Sequence, residues 1–136
     1  MAEDDCIFCK IVAGELPSHR IYEDEHTIGF LDISPWVSGH SLVIPRRHSR
    51  NLWEVEGEDL AHTAAAAKAV ATTMRDGIGA QGVNLLNSCE SAAWQTVFHF
   101  HIHVIPRFSG DPLRLPGHPG EADQDALAEL AAKLRA

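Results

Sequence analysis

Three histidines, His99, His101 and His103, alternate with apolar residues inside one run, VFHFHIHVI at 97–105. In an extended strand, side chains two apart share a face. The three imidazoles should therefore form a polar floor, while Phe98, Phe100, Ile102 and Val104 pack behind it. Such a row can bind a metal, because neutral imidazole is the commonest metal ligand and catalytic zinc often takes three protein ligands. It can equally supply a nucleophile with its helpers, since a free imidazole with a pKa of about 6.5 is largely neutral at pH 7. A nucleophile working on phosphate also needs hydrogen-bond donors for the developing charge. Gln95, Thr96 and the amides of the loop before them are placed to provide these.

A second constellation is Cys6-Ile-Phe-Cys9. This spacing suits either a metal or a redox pair. The third cysteine, Cys89, has no partner in sequence. Three cysteines in 136 residues are too few for a disulfide scaffold. Lys and Arg number 11 against 19 Asp and Glu, a net charge of −8. That is the wrong sign for nonspecific nucleic-acid binding, so any phosphate must be held by local donors. No apolar run approaches the ~20 residues of a membrane span. The acidic start, MAEDDC, leads into no signal-type segment, and a cytoplasmic location is expected.

Positioning these residues requires a sheet and at least one long helix. Residues 6–13 read as a short helix stopped by Gly14. Residues 20–23 and 27–32 read as strands joined by a turn at Asp24-Glu25-His26. HSLVI at 40–44 is a strand that Pro45 should stop, followed by a basic connection at 46–50. From Glu56 the period changes. Glu58 and Asp59 suit a first helical turn, and Leu60, Ala64, Ala67, Ala71 and Met74 recur as a buried stripe until Gly77 and Gly79. A strand at 83–87, a polar loop at 88–95 and the histidine strand at 97–105, stopped by Pro106, follow. After a Gly/Pro-rich stretch at 109–120, a last helix begins near Glu121 with Leu127, Leu130 and Leu134 on one stripe. His19, His26, His62 and His118 read as solvated surface residues. Four or five strands with one long helix and short flanking helices indicate an α+β fold with a mostly antiparallel sheet, here five-stranded, in a single domain over 1–136.

Three ordered motifs carry a resemblance to a known family. The run from Gln95 to Ile105 resembles the His-x-His-x-His signature of the histidine triad (HIT) superfamily. Gly39-His40-Ser41-Leu42-Val43-Ile44-Pro45 with His48 resembles the second marker. Cys6-Ile-Phe-Cys9-Lys10-Ile11 with Gly14-Glu15-Leu16-Pro17 resembles the opening of bacterial members that carry a zinc-binding cysteine pair. The likeness spans about 5–108 and leaves 109–136 as a C-terminal extension.

The resemblance implies a nucleotide hydrolase or transferase acting at the α-phosphate of purine nucleoside monophosphate derivatives, such as phosphoramidates or adenylylated amines. His101 matches the nucleophile that forms a nucleotidyl-histidine. His103 matches the residue that hydrogen-bonds the phosphate, His40 the histidine that closes the network, and His99 the first member of the triad. Asp32 falls where the family contacts the ribose hydroxyls, and Asn87 matches a phosphate-side position. Phe30, Ile33 and Leu42 line the base pocket or the plain core. Cys6, Cys9, His48 and His99 match the ligands of one structural zinc per chain, and a homodimer is implied. The alternatives are a dinucleoside polyphosphate hydrolase, a nucleotide-binding regulatory module with little turnover, and a three-histidine metallohydrolase. One departure stands out: Trp94 occupies a position before the signature Gln that is often glycine, in a loop without any glycine.

Overall fold

The computed structural model describes residues 3–114 and 117–136. Met1 and Ala2 of the acidic start, and Leu115 and Pro116 of the Gly/Pro-rich stretch, lie outside the described residues. The order is α1 (Ile7–Val12), β1 (Arg20–Glu23), β2 (Thr27–Leu31), β3 (Ser41–Pro45), α2 (Gly57–Ile78), β4 (Gly82–Leu86), a single 3₁₀ turn (Ser91–Ala93), β5 (Ile102–Arg107) and α3 (Gln124–Arg135). The strands form one sheet in the order β1-β2-β3-β5-β4, and every pairing is antiparallel. The expected α+β architecture, with a five-stranded antiparallel sheet and one long helix, is present.

The β1–β2 turn forms as the sequence suggests. Asp24 Oδ1 accepts from the amides of His26 and Thr27, each at 2.8 Å, an Asx-type closure. Short α1 is capped by Cys6, whose sulfur accepts from the Cys9 amide at 3.3 Å. It buries Phe8, Cys9 and Ile11 against Ile28, Phe30, Leu42 and Ile44 of the sheet. The other side of the sheet receives α2, and Ala66, Ala67, Val70 and Met74 pack with Val43, Phe100, Ile102 and Val104. Gly29 of β2 permits the close approach. A Cβ there would stand 3.2 Å from Tyr22 Cβ and 3.4 Å from Val70 Cγ2.

Several expectations need correction. The buried stripe of α2 is Asp59, Thr63, Ala66, Ala67, Val70 and Met74, and Leu60 and Ala64 are exposed. Ala64–Ala67 is apolar on every face, so this run cannot set the helix phase. Thr63, bonded to the Asp59 carbonyl at 2.6 Å, and Asp59, paired with Arg47 at 2.8 Å, set it from the first turns. Gly79, at φ 72°, is the cap that ends the helix, while Gly77 lies within it. The histidine strand is shorter and later than expected. It begins at Ile102 and passes through Pro106 to Arg107. Pro106 is tolerated because β3 pairs no further along β5 than Val104, leaving only β4 alongside. Likewise Pro45 is the last residue of β3 and lies inside it. Phe98 does not join the core; the Arg50 guanidinium stacks on its ring at 4.3 Å. Finally α3 starts at Gln124 behind an Asp123 cap and buries none of its residues, so its leucines face outward. Among the described residues no helix is long and apolar enough to cross a membrane.

Candidate functional site

Although His99 and His101 precede β5, the triad rings still stand in a row. Phe8 meets His99 and His101 edge-on, at ring separations of 5.9 and 5.2 Å. His101 and His103 are 5.0 Å apart. The segment is held by the Phe100 amide donating to the Ser49 carbonyl at 2.8 Å, and by Asn87 Nδ2 donating to the His101 carbonyl at 2.9 Å.

One end of the row meets the cysteines. Nδ1 of His99 lies 3.4 Å from Cys6 Sγ and 3.5 Å from Cys9 Sγ, and His48 Nδ1 lies 3.3 Å from Cys9 Sγ. His99 Nε2 donates to the Pro45 carbonyl at 2.8 Å, which leaves the Nδ1 lone pair facing both sulfurs. A single lone pair cannot accept well from two thiols at once. A shared cation would satisfy all four groups. Zinc–sulfur and zinc–nitrogen bonds of about 2.3 and 2.05 Å in a tetrahedron put sulfur and nitrogen roughly 3.6 Å apart, close to the spacing present. The four ligand atoms lie within 4.8 Å of one another. Burial raises the Cys6 thiol to about 11 and lowers His99 to about 4, so both groups favour their uncharged forms and a cation could replace the Cys6 proton. The donor set therefore fits a structural zinc.

The other end opens into a cleft of ≈ 460 Å³. His101 and His103 line it, with Phe8, Phe30, Asp32 and Trp36 among the other walls. Hydrogen bonds fix the proton on each ring. His101 Nδ1 lies 2.7 Å from the His99 carbonyl, an acceptor only, so Nδ1 carries the hydrogen and Nε2 keeps its lone pair. The Trp36 amide donates to His40 Nδ1 at 3.1 Å. His40 therefore bears its hydrogen on Nε2, which donates to His103 Nδ1 at 2.9 Å. That leaves His103 with an N–H on Nε2, ready to donate. Asp32 Oδ2 stands 3.6 Å from His40 Nε2, and its Oδ1 accepts from the Ser34 amide. Burial lowers the pKa of His101. It lowers His103 to about 4, with the neighbouring His101 and His40 adding to the effect, and it lowers His40 against the opposing pull of Asp32. Each shift favours the neutral ring over the imidazolium.

Other residues singled out from sequence fall into two groups. Thr96 and Ile33 line the cleft, Ile33 at 89% exposure. Phe30 and Leu42 serve both readings, being buried and lining the cleft as well. Gln95 and Asn87 work on the backbone instead. Gln95 Nε2 donates to the carbonyls of Arg50 and Val97, and its Oε1 accepts from the Glu90 amide. Its side chain is thus spent inside the protein, correcting the expectation of a phosphate donor. Asn87 reaches the main chain of His101 rather than the cleft. His26 and His62 stack on each other at 3.8 Å, so they are a pair and not two separately solvated rings. Two contributors were not singled out. Trp36 lies nearly parallel to His103 at 5.5 Å, and Phe8 braces His99 and His101. An aromatic four residues before His40, in a Ser-Pro turn, was the available signal for Trp36.

Comparison with known proteins agrees with this geometry. The HIT domain family model matches residues 13–110. A Bacillus subtilis (strain 168) relative, Protein hit, is 46% identical over 105 residues, covering 77% of this chain and 72% of its own. A crystal structure of a zinc-bound histidine triad family protein from Mycobacterium smegmatis is 41% identical, covering 95% of this chain and 97% of that one with a TM-score of 0.79. A histidine triad nucleotide-binding protein from Candida albicans is 34% identical, covering 96% and 95%, with a TM-score of 0.84. With the histidine row, the sheet order and these relatives in agreement, this chain belongs to the histidine triad (HIT) family.

Proposed function

We propose that the chain is a single-domain HIT hydrolase of purine nucleoside phosphoramidates and related adenylylated amines, working through a nucleotidyl-histidine at His101. One observation carries the reading: His101 donates Nδ1–H to the His99 carbonyl at 2.7 Å, which leaves Nε2 with a free lone pair in a ring kept neutral by burial. In the proposed reaction His101 Nε2 attacks the α-phosphorus and the phosphorus–nitrogen bond to the amine breaks. The amine leaves as it takes a proton from water. A second water then attacks phosphorus and breaks the bond to His101 Nε2, its released proton neutralising the hydroxide left by the first, which frees the nucleoside monophosphate and restores the ring. His103 Nε2–H, oriented through His40 and the Trp36 amide, donates to a phosphoryl oxygen. Asp32 accepts from the ribose hydroxyls, and Phe8, Phe30, Ile33 and Leu42 hold the base. Thr96 faces the phosphate side.

The charge of the cleft favours an amine over a polyphosphate leaving group. Among its described lining residues Asp32 is the one formal charge, with no Lys or Arg. A dinucleoside polyphosphate would bring several negative charges beyond the α-phosphate with no cation to meet them.

Cys6, Cys9, His48 and His99 would hold one zinc, as the zinc-bound relative and the tetrahedral fit suggest. It would supply cross-linking between α1, the 46–50 connection and the triad segment rather than reaction chemistry, since all four positions are filled by protein. His99 committed to that site leaves no three-histidine catalytic metal. A two-fold homodimer through the outer face of α2 is part of the proposal. The exposed Leu60 and Ala64 of α2, and Leu85 of β4 at 52% exposure, supply apolar surface for it. A cytoplasmic enzyme without nucleic-acid or membrane partners fits the acidic charge. The deciding experiment is to quench the reaction with an adenosine phosphoramidate and map the adduct by peptide mass spectrometry. A nucleotidyl group on His101 is the expected result, and its absence during turnover sinks the reading.

A further inference from the structure

The loop between β4 and β5 carries the strain of this molecule. Among the described residues only Glu90 and Trp94 combine a side chain with positive φ, at 71° and 76°. Glu90, with ψ 163°, lies in a region that is nearly glycine's alone. Both residues belong to the loop that supplies Ser88, Trp94 and Thr96 to the cleft wall. Such a conformation persists only when the surroundings over-determine it, and here they do. Arg50 grips the Glu90 carboxylate with two bonds, Nε at 2.7 Å and Nη2 at 3.0 Å. Buried Asn51 adds a third bond through Nδ2. The Glu90 amide donates to Gln95 Oε1 at 2.7 Å, and Gln95 Nε2 returns to the Arg50 carbonyl at 2.8 Å. Arg50 is itself seated on Phe98. The same 49–51 segment holds the triad main chain through the Ser49 carbonyl.

We propose that the Glu90–Arg50 ion pair is a positioning clasp, which fixes the Ser88–Thr96 wall of the cleft relative to His101. It rests on the functional reading above and adds residues outside the histidine relay. Glycine at position 90 would be the unstrained choice. A glutamate there costs backbone energy and returns a bidentate, charge-assisted grip. The nucleoside side of the cleft, Phe8, Ile11, Phe30 and Leu42, does not touch the loop's hydrogen bonds, so the clasp should govern the chemical step more than nucleotide affinity.

Glu90→Gly separates strain from grip, because it relieves the backbone while releasing the loop. We expect an unchanged or higher Tm, kcat on an adenosine phosphoramidate down roughly tenfold or more, KM within about twofold, and faster amide exchange at 91–96. Glu90→Gln, which keeps the shape and some hydrogen bonds, should recover part of kcat. Arg50→Lys loses the fork and the Phe98 stack without touching the strained backbone, so it gives the same test should Glu90→Gly fold poorly. Wild-type kcat in either folded variant, or unchanged exchange at 91–96, overturns the clasp. An inactive wild type would sink the functional reading alone, and the exchange measurement would still decide the clasp.

Discussion

His99 and His101 are two residues apart, share the Phe8 ring as a neighbour and are both buried, yet their free nitrogens face different surroundings. The difference lies in which nitrogen each commits to a backbone carbonyl. His99 gives its Nε2–H to Pro45 and turns the Nδ1 lone pair to the cysteines. His101 gives its Nδ1–H to His99 and keeps Nε2 free on the cleft side. In the proposed reading one ring is a ligand donor within a closed pocket, the other a nucleophile within an open one. A single repeated residue type is thus prepared for two chemistries because the main chain selects the tautomer.

The largest effect that would break this division is at His101. His101→Gly should lower turnover by at least roughly 10³-fold, while isothermal titration still finds nucleoside monophosphate binding within a few-fold of wild type. Retained turnover would remove His101 from its role. Next comes the metal pocket. The Cys6→Ser/Cys9→Ser double variant should lose zinc by elemental analysis and drop Tm by roughly 10 °C or more, with a smaller loss of intrinsic rate on the folded fraction. Equal zinc content in variant and wild type would discard the site. A more moderate change is expected at Asp32→Ala. It should weaken ribonucleotide binding by about tenfold and leave 2′,3′-dideoxy analogues nearly unaffected; a uniform loss speaks against a ribose contact.

The smallest effect belongs to a control remote from both ends of the row. Burial acts to raise the Asp24 carboxyl, but bonds from the Tyr22 hydroxyl and from His26 and Thr27 outweigh it and hold the group at about 2. A carboxyl depressed in the folded state stabilises the protein above its ordinary value of 3.8, and this contribution fades as pH falls from there toward about 2. Asp24→Asn should therefore cost at most about 1 kcal/mol near neutral pH and flatten the acid limb of a urea-midpoint profile between pH 4 and 2. Zinc content and turnover should not move. A loss of either would show that the β1–β2 turn is coupled to the site.

Much of this organisation was legible in the chain. Pattern and turn residues located β1 to β4 to within one position, because Asp24, Gly14 and Gly79 act locally. The failures share a cause. The phase of α2 was hidden by four consecutive alanines, and the start of β5 by an apolar alternation that continues into a segment with no ladder partner. Gln95 looked like a phosphate donor because sequence shows an amide group but not where its donors point. Trp36 and the Glu90–Arg50 pair were missed because their partners lie 67 and 40 residues away, as His103 and the opposite loop.

The residue types needed for ligation and attack, and their order along the chain, are properties of the sequence: two thiols at helix spacing, a histidine after the Ile-Pro strand end, three alternating histidines. Which imidazole meets sulfur and which meets the cleft is not. That depends on the carbonyls of Pro45 and His99 and the amide of Trp36, groups every chain possesses, and only folding brings them to the right nitrogen.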